Sequence, residues 1–415
     1  MKILVYPHDM SVGGSQLNAV ELASGVRDLG HEVTVVGQQG ALRSHIRNLG
    51  LEFIELPRIR RRPTPSIVRA LHQIVRSRDI DIIHGYEWPP TLEAFLACQG
   101  TRARPVSTVM SMSVAPFIPA KMPLIVGTEQ IAAVERASRG DRVMLMEPPV
   151  DTRANALEAV ADLERKGLDH GLDPAKLTLA IVSRLAPEMK LEGVLAAIDF
   201  VGGFKGGQPL QLLVVGDGPA FDTVRRKADA VNSQCGEVRI LLTGEQADPR
   251  WAYAIADVIL GMGGSALRGM SMGKPLVVQG ERGYWRALTP QSVQDFYWQG
   301  WYGIGDDPAR GALNLENELA PLLADAALRR ELGRYARQVI DERFSLDVAS
   351  ARQLSYYQQV LRATNPPSVI SRDALSSGYR LAKYEFDRQL SRLRGRLTND
   401  DFNTTPVVSQ QRVRT

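Results

Sequence analysis

Two positively charged side chains follow an apolar run in the second half of the chain. The run Leu177–Val182 is typical of a buried strand, and Arg184 and Lys190 come shortly after it. Side chains that follow parallel strands lie at the carboxyl edge of a sheet, where ligands bind. A guanidinium can hold two phosphate oxygens, and an ammonium adds a compact charge. The pattern predicts that this pair stabilises a diphosphate; capping of helix ends is the alternative.

Glycine-lined turns follow three further apolar runs of the same half. The stretch Gly261–Pro275 has three glycines ahead of a short helix pattern, and Ser265 can cap that helix. The first N–H groups of such a helix bind anions, although a plain strand-to-helix turn is the alternative. Glycine also lets a flat ligand approach the main chain. The donor-binding candidates in these turns are Gly216, Gly218, Gly244, Glu245, Gly263, Gly264 and Ser265.

The first half of the chain has its own glycine turn. Gly13-Gly14-Ser15 follows the first apolar run and opens a helix pattern, but it fits neither a dinucleotide fingerprint nor a P-loop. We expect Gly14 to approach the donor phosphate or the acceptor. His8, Asp9 and His84 are expected at neighbouring strand ends, where they could contact an acceptor hydroxyl; an ordinary structural role is the alternative for each. The six histidines show no metal-ligand spacing, so no metal site is predicted.

Strand and helix patterns alternate in two series, over residues 1–150 and 151–345. Alternation of this kind predicts parallel sheets covered by helices, and hence two Rossmann-like α/β domains facing one another across a cleft. A helix near 346–362 is expected to rejoin the first domain. The predicted strands are Lys2–Tyr6, Val33–Gly37, Glu52–Leu56, Asp81–His84, Val106–Met110, Leu124–Val126, Arg142–Met146, Leu177–Val182, Gln211–Val215, Val238–Leu242, Asp257–Leu260 and Leu276–Val278.

The C-terminal segment, residues 365–415, is of another kind. It carries nine basic and five acidic side chains, a surplus equal to the formal charge of +4 of the whole chain. The body is therefore neutral, which argues against nucleic-acid binding. Apolar residues recur here at helical spacing: Leu375, Tyr379, Ala382, Phe386, Leu390, Leu393 and Leu397. Such a stripe predicts an amphipathic helix that packs on the protein's own body, on a second copy or on a membrane surface. The residues from Asp400 onward are expected to be disordered.

The amino-acid composition limits the classes of protein to which the chain can belong. The chain has 415 residues, 44% of them hydrophobic and 23% charged, which is typical of globular proteins. Neither a signal-peptide pattern nor a long apolar run is present, so we expect a cytoplasmic protein. Two distant cysteines, Cys98 and Cys235, support neither a disulfide framework nor a zinc site. The arginine run 58–62 allows contact with an anionic membrane or acceptor, with a solvated loop as the alternative.

Seven short motifs in order resemble the retaining GT-B glycosyltransferases of the glycogen-synthase and sucrose-synthase-like group, which are family-4-like. The motifs are Gly13-Gly14-Ser15, Asp81-Ile82-Ile83-His84, Pro149-Val150-Asp151, Ser183-Arg184-Leu185 with Lys190, Val215-Gly216-Asp217-Gly218-Pro219, Ala256-Asp257-Val258 and Gly273-Lys274-Pro275. The resemblance covers residues 1 to about 360. It implies a GT-B fold and a nucleoside-diphosphate sugar as donor, for which we expect a UDP-sugar, with no metal or other cofactor. It also implies that Arg184 and Lys190 stabilise the departing diphosphate.

The chain departs from the family pattern around the turn at 261–265. Family members usually carry two glutamates there, and the matching positions hold Leu260 and Arg268. A histidine that often follows the fifth strand is also absent, with Val109-Met110-Ser111 in its place. Recognition of the sugar and ribose must therefore differ, and Arg268 either adds a cation to the diphosphate site or faces solvent.

Three hypotheses follow from these residues. The first is an active retaining transferase that moves a hexose-like unit, without a metal, to a hydroxyl of a small-molecule, glycan or lipid acceptor. The second is an inactive binding or scaffold protein of the same fold, because the paired glutamates are missing. The third, a sugar-nucleotide epimerase, needs acid and base carboxylates that no motif identifies. The C-terminal helix adds two expected partners, a second copy or the inner membrane surface.

Overall fold

A computed structural model describes residues 1–11, 13–59, 62–363 and 367–393. The chain divides into two compact units, one formed by residues 1–149 with 346–415 and the other by residues 150–345. Each unit is built around one sheet.

The first unit contains a seven-stranded parallel sheet. Its strand order is β3-β2-β1-β4-β5-β6-β7, so the order reverses between β1 and β4. Such a reversal leaves a crevice at the carboxyl ends of the two strands. The strands are β1 (Lys2–Tyr6), β2 (Glu32–Gly37), β3 (Glu52–Glu55), β4 (Ile82–Tyr86), β5 (Arg104–Val109), β6 (Leu124–Val126) and β7 (Val143–Leu145).

Helices cover both faces of this sheet, as its apolar strands require. Val5 and Ile82 point into the cluster beneath α1 and α14, whereas Leu4 and Ile83 point into the cluster beneath α3 and α4. The helices are α1 (Gly14–Asp28), α2 (Leu42–Asn48), α3 (Pro65–Arg78), α4 (Trp88–Ala97), α5 (Glu129–Arg139) and α14 (Leu346–Arg362).

The second unit contains a six-stranded sheet of order β10-β9-β8-β11-β12-β13. All pairs are parallel except the edge pair of β12 and β13, and the order reverses between β8 and β11. The strands are β8 (Leu177–Val182), β9 (Leu210–Val215), β10 (Ile240–Gly244), β11 (Val258–Gly261), β12 (Leu276–Gln279) and β13 (Trp285–Ala287). Two apolar clusters, one on each face, bury these strands under helices.

The helices of the second unit are α6 (Leu163–Asp169), α7 (Leu191–Gly203), α8 (Phe221–Cys235), α9 (Arg250–Ile255), α10 (Gly264–Ser271), α11 (Val293–Gln299), α12 (Gly311–Ala324) and α13 (Ala326–Val339). A π-helical turn, Ile340–Phe344, follows α13 and closes the unit.

The last described helix, α15 (Pro367–Leu393), packs on the first unit through the face opposite to its apolar stripe. Asp373 accepts hydrogen bonds from the N–H groups of Ala120 and Lys121, at 2.9 and 2.7 Å. Tyr384 packs against Phe117, with ring centroids 5.1 Å apart. The stripe itself is exposed: Leu375 is 77% and Leu393 84% accessible. The helix therefore packs on the protein's own body, which was one of the predicted alternatives, but it does so through the face opposite to the stripe. Leu397 and the segment after Asp400 lie outside the described residues.

Candidate donor and acceptor sites

The predicted cations and the glycine turn of the second unit meet at its strand-order reversal. The loop Ser183–Met189 follows β8, and the turn Met262–Gly263 follows β11, its neighbour in the sheet. Ser265 Oγ joins the two by donating a 2.5 Å hydrogen bond to the carbonyl oxygen of Val182. A ligand bound in this crevice would contact both segments.

Gly216 and Gly218 follow the adjacent strand β9 and have φ values of 138° and 152°. A Cβ at Gly216 would lie 2.0 Å from the carbonyl oxygen of Ser183, and one at Gly218 would lie 2.5 Å from that of Leu185. The two glycines therefore let the turn after β9 pack against the loop that carries Arg184. Their role in a donor site is to support that loop.

The predicted helix after the glycine turn is α10, but its cap differs from the prediction. Gly263, not Ser265, is the N-cap, and its own N–H donates to the carbonyl oxygen of Trp301 at 2.8 Å. Ser265 lies inside the first turn, where its hydroxyl also accepts from Tyr253. The expectation that Ser265 caps the helix and that Gly263 offers a bare amide is wrong. Among the described residues, no acceptor takes the N–H groups of residues 264–266.

Arg268 lies one turn along α10 and points back toward the start of that helix. Its Nη1 is 3.4 Å from the carbonyl oxygen of Gly264, and the side chain is half-buried. Long helical side chains point toward the N-terminus, which explains this direction. The guanidinium thus lies over the first turn of α10, where the helix dipole already favours an anion.

Lys190 is the N-cap residue of α7 and is held by the neighbouring strand. Gln279, the last residue of β12, donates a 2.9 Å hydrogen bond to the carbonyl oxygen of Lys190. The Lys190 ammonium forms no ion pair with a carboxylate in the described parts of the chain, and burial lowers its pKa to about 8. Arg184 is exposed on the loop after β8. Gly244, the last residue of β10, is half-buried, and Glu245, which follows it, is exposed.

Two of the three predicted acceptor residues, together with Gly14, lie at the carboxyl edge of the first unit's sheet, next to its strand-order reversal. His8 and Asp9 follow β1, and Gly14 is the first residue of α1. Asp9 accepts from the N–H and hydroxyl of Ser11; burial opposes ionisation, but these bonds hold the pKa of Asp9 below its usual value. His8 and Asp9 line a cavity of about 430 Å³ together with Tyr6, Gln38, Gln39 and Arg62.

His84 does not belong to this edge. It lies in the middle of β4, fully buried, with Nδ1 2.6 Å from the hydroxyl of Tyr357 and Nε2 2.6 Å from that of Thr108. Burial lowers its pKa to about 3, so the ring is neutral at physiological pH. The expectation that His84 contacts an acceptor hydroxyl is wrong, because the strand continues two residues beyond it.

The arginine run is only partly described, since Arg60 and Arg61 lie outside the described residues. Arg62 forms an ion pair with the fully buried Glu93, at 3.2 Å, and donates to the carbonyl oxygen of His8 at 3.1 Å. A buried carboxylate needs such a partner, so this arginine has a structural role.

Comparison with known proteins agrees with this architecture. A family profile described as "Glycosyl transferase 4-like domain" matches residues 13–179. The N-acetyl-alpha-D-glucosaminyl L-malate synthase of Bacillus anthracis is 23% identical over 387 residues, which span 87% of this chain and 97% of that protein. The structure of Anabaena Alr3699/HepE in complex with UDP superposes with a TM-score of 0.66 at 14% identity, over 86% of this chain and all of that one. The structure of sucrose-phosphate synthase from Thermosynechococcus elongatus superposes with a TM-score of 0.66 at 18% identity, over 88% of this chain and all of that one.

The chain is a glycosyltransferase with the GT-B fold, and its residues 13–179 are similar to the family-4-like domain. The resemblance expected from the motifs is thereby confirmed, as is the fold of two parallel-sheet α/β units. No described helix of this glycosyltransferase has the length and apolar character needed to cross a membrane. Its described residues also contain no group of three or more His, Cys, Asp or Glu side chains placed to hold a metal ion.

A glutamate that the sequence motifs do not reveal lies beside the loop that carries the two predicted cations. Glu281 comes two residues after Gln279 at the end of β12 and accepts from the N–H of Met189 at 3.2 Å and from the hydroxyl of Tyr302. Met189 has a positive φ of 62°, which the hydrogen bond from its N–H helps to hold. No local motif marks Glu281, since only the sheet order brings β12 to the loop that ends at Lys190.

A second unpredicted glutamate organises the first unit's edge. Glu87 is the single residue between β4 and α4, and it is 5% exposed. Its carboxylate accepts from the hydroxyl of Ser15 at 3.1 Å, the N–H of Met110 at 2.9 Å and the hydroxyl of Ser111 at 2.6 Å. Burial raises the pKa of this carboxyl group, and the hydrogen bonds and the charge of His8 oppose that rise. The sequence signal was its place three residues beyond the predicted strand Asp81–His84.

Proposed function

We propose that this glycosyltransferase moves a sugar from a nucleoside-diphosphate sugar to an acceptor hydroxyl, with retention of anomeric configuration and without a metal ion. The observation that carries the proposal is the meeting of Arg184, Lys190 and the first turn of α10 at one strand-order reversal. Each favours an anion, and together they surround the position where ligands bind in parallel sheets.

The diphosphate would bind between the loop after β8 and the start of α10. Free N–H groups of residues 264–266 face the anion, and Arg268 extends its guanidinium over the same turn. Arg184 and Lys190 supply the remaining positive charge. Because this charge is fixed before the reaction, it stabilises the transition state, in which negative charge grows on the leaving diphosphate, more than the ground state.

The transfer breaks the bond between the anomeric carbon and a diphosphate oxygen and forms a bond from that carbon to the acceptor oxygen. The acceptor hydroxyl loses its proton, and the departing diphosphate oxygen takes it up. The acceptor oxygen therefore attacks the anomeric carbon from the face that the diphosphate leaves. Attack from that face retains the anomeric configuration. Lys190 remains beside the leaving group and balances the charge that the broken bond leaves there.

Donor and acceptor classes are proposed from the relatives and from the edges of the two sheets. Alr3699/HepE is seen with UDP and with UDP-glucose, and we propose a UDP-sugar donor for this chain. The acceptor, a small molecule, glycan or lipid, would bind at the cavity next to His8 and Asp9. Gln38 and Gln39 line that cavity, and amide groups suit hydroxyl-bearing ligands.

A screen of UDP-, GDP- and ADP-sugars tests the proposal. The wild-type protein should slowly hydrolyse the sugars of one of these three nucleotides, and it should transfer the sugar faster once an acceptor is present. Both rates should be unchanged by a metal chelator. NMR of the product gives the anomeric configuration. Arg184→Ala should lower kcat about 100-fold or more while the protein stays folded. The matched control is Arg225→Ala, which removes a surface arginine paired with Asp222 in the same unit. Undiminished turnover of Arg184→Ala would contradict the assignment.

The inactive scaffold is the second candidate, and one observation favours it. The positions of the paired family glutamates hold Leu260, which is fully buried, and the cation Arg268. Calorimetry with UDP, GDP and ADP separates the candidates. Binding with turnover supports the transferase, binding without turnover supports the scaffold, and no heat with any of them contradicts the donor site.

We also propose that the exposed stripe of α15 contacts a second copy or an anionic membrane surface, at the cytoplasmic face. Four of its large apolar side chains are more than half exposed: Leu375, Tyr379, Phe386 and Leu393. Contiguous apolar patches of this kind usually mark interaction surfaces. Light scattering and vesicle co-sedimentation of the full chain and of Phe386→Ser would distinguish the two. If Phe386→Ser behaves like the full wild-type chain in both assays, the proposal that the stripe is a contact surface is contradicted.

A further inference from the structure

Glu87 occupies a main-chain conformation that a glutamate rarely adopts. Its φ and ψ are 63° and 172°, in a region that is essentially restricted to glycine. The reason is the abrupt connection, since β4 ends at Tyr86 and α4 begins at Trp88. A Cβ at Gly85 would lie 2.7 Å from the main chain of Pro90 and Thr91, so the helix folds directly back over the strand. A glycine at 87 would relieve the strain, yet this chain has a buried acid there.

The Glu87 carboxylate gives a reason for a glutamate at this strained position, because it joins separate segments of the sheet edge. Ser15 belongs to the first turn of α1, next to Gly14, whereas Met110 and Ser111 follow β5. Three donors converge on one carboxylate, and hydrogen bonds to a charged group are the stronger kind. Glu87 thus fixes the start of α1 relative to the loop after β5.

The segments that Glu87 joins are those at the strand-order reversal of the first unit. β1 and β4 are neighbours there, and β5 lies on the other side of β4. His8 follows β1 and is close enough for its charge to act on Glu87. The Nδ1 atom of His8 is buried and has no hydrogen-bond partner among the described residues, so an unsatisfied polar atom lies at this edge.

We propose that Glu87 is a positioning residue for the acceptor: it holds Ser15, Ser111 and their main chain where they and His8 meet the acceptor hydroxyl. The inference rests on the proposed function, because it presumes an acceptor at this edge. Glu87 itself is too buried to touch a substrate and acts through the groups that it binds. Donor binding, which uses the second unit, does not depend on it.

Glu87→Gln tests the proposal with little change in shape. The new amide NH₂ cannot accept a hydrogen bond, so a serine hydroxyl beside it must turn and accept instead, and the bond from the N–H of Met110 is lost if the NH₂ faces that group. We expect kcat/KM for the acceptor to fall about 10- to 100-fold, as the loss of hydrogen bonds to a charged group implies. Donor affinity measured by calorimetry and the slow hydrolysis of donor by water should stay within about twofold of wild type. Glu135→Gln is the matched control, since Glu135 bonds Arg139 in α5 of the same unit.

Ser111→Ala is the milder variant in case Glu87→Gln does not fold. It removes the shortest of the three bonds and should lower acceptor kcat/KM about three- to tenfold, again without affecting donor hydrolysis. The double variant should lose less than the sum of the two single losses, because Ser111 and Glu87 are coupled through their hydrogen bond. Equal losses of transfer and donor hydrolysis, or no loss in either variant, would overturn the positioning role. A wild-type protein that binds no nucleoside diphosphate would instead overturn the proposed function, before any variant is compared.

Discussion

The side-chain amide of Gln279 holds the main chain of Lys190 from the end of a strand that lies two positions away in the sheet. Its Nε2 donates to the Lys190 carbonyl oxygen at 2.9 Å, and a Cβ at Gly193 would lie only 2.5 Å from the same amide. Gln279 is buried, and Glu281 fixes the preceding residue, Met189. The cation that we propose to face the leaving diphosphate is therefore positioned by β12, not by its own loop alone.

Removal of this amide should reduce catalysis more than stability. We expect Gln279→Leu to lower kcat about tenfold, because a misplaced Lys190 loses part of its interaction with the leaving diphosphate. Gln211→Leu is the matched control: Gln211 is equally buried in β9 and bonds Thr178 and the main chain of Asp173. Steady-state kinetics and thermal unfolding of both variants give the comparison. A larger kcat loss for Gln211→Leu would contradict the assignment to β12.

Lys190 should take up a proton when a nucleoside diphosphate binds. Burial holds its pKa at about 8 in the free protein, and an adjacent anion favours the charged form. Near pH 8.5, binding should therefore consume a fraction of a proton, which calorimetry in two buffers of different ionisation enthalpy measures. Lys190→Met should abolish the uptake, whereas Lys227→Met, which removes a surface lysine paired with Asp199, should not. Equal proton uptake by wild type and Lys190→Met would refute the contact.

The same pKa has a consequence for stability. Between about pH 8 and 10.5 the unfolded chain holds a proton on Lys190 that the folded chain has lost. The free energy of unfolding should therefore contain a contribution that rises with pH through this window. In urea denaturation, this rise should be absent from Lys190→Met relative to wild type. At pH 7 the variant should be at least as stable as wild type, because it no longer carries a desolvated charge.

Much of the fold followed from the sequence. The strands Lys2–Tyr6, Leu124–Val126 and Leu177–Val182 have the bounds that their apolar runs predict, because buried parallel strands read as continuous runs. β13 was missed, since it is an edge strand with little apolar character. The short helices α4 and α9 were missed too, because their apolar residues follow strands so closely that no helical period stands out.

The sites were only partly predictable, for a physical reason. Arg184, Lys190 and the turn after β11 could be found because each follows its own strand. Glu281 and Glu87 act across the sheet, and which strands are neighbours depends on topology. His84 was misplaced because its strand extends two residues further than predicted, and a buried histidine with two hydroxyl partners has no local sequence signal.

His84 should make the protein sensitive to acid. Its pKa falls from 6.5 to about 3 on folding, so below about pH 6.5 the unfolded chain binds a proton that the folded chain excludes. Between pH 7.5 and 5 this linkage should cost about 2 kcal/mol of unfolding free energy. His84→Gln should lose that part of the pH dependence in urea denaturation. The KM of this variant for the acceptor should stay unchanged. A rise confined to that KM would instead indicate that His84 contacts the acceptor directly.

Two glycines of the second unit should respond differently to alanine. At Gly216 a Cβ would collide with the carbonyl oxygen of Ser183 and φ is 138°, so Gly216→Ala should cost about 2–4 kcal/mol. Because the loop that carries Arg184 must move, donor affinity should fall as well. At Gly244 φ is 72° but the space is open, so Gly244→Ala should cost about 1 kcal/mol. Equal effects of the two on donor affinity would contradict the supporting role of Gly216.

Substitutions of two nearby aromatic residues of α15 should distinguish its packed face from its exposed stripe by their effects on stability. Tyr384 lies against Phe117 and edge-on to Trp88, whereas Phe386 is 61% exposed. Tyr384→Ala should therefore lower the free energy of unfolding of the first unit by about 2–3 kcal/mol, less than full core truncation because the ring is only half-buried. Phe386→Ala should change it by less than about 0.5 kcal/mol. Hydrogen exchange of the buried amides of β5 and β6 under mild denaturant reports on the unfolding of this unit. A stability loss at Phe386 as large as that at Tyr384, measured at a protein concentration where the chain is monomeric, would mean that the stripe packs within the chain after all.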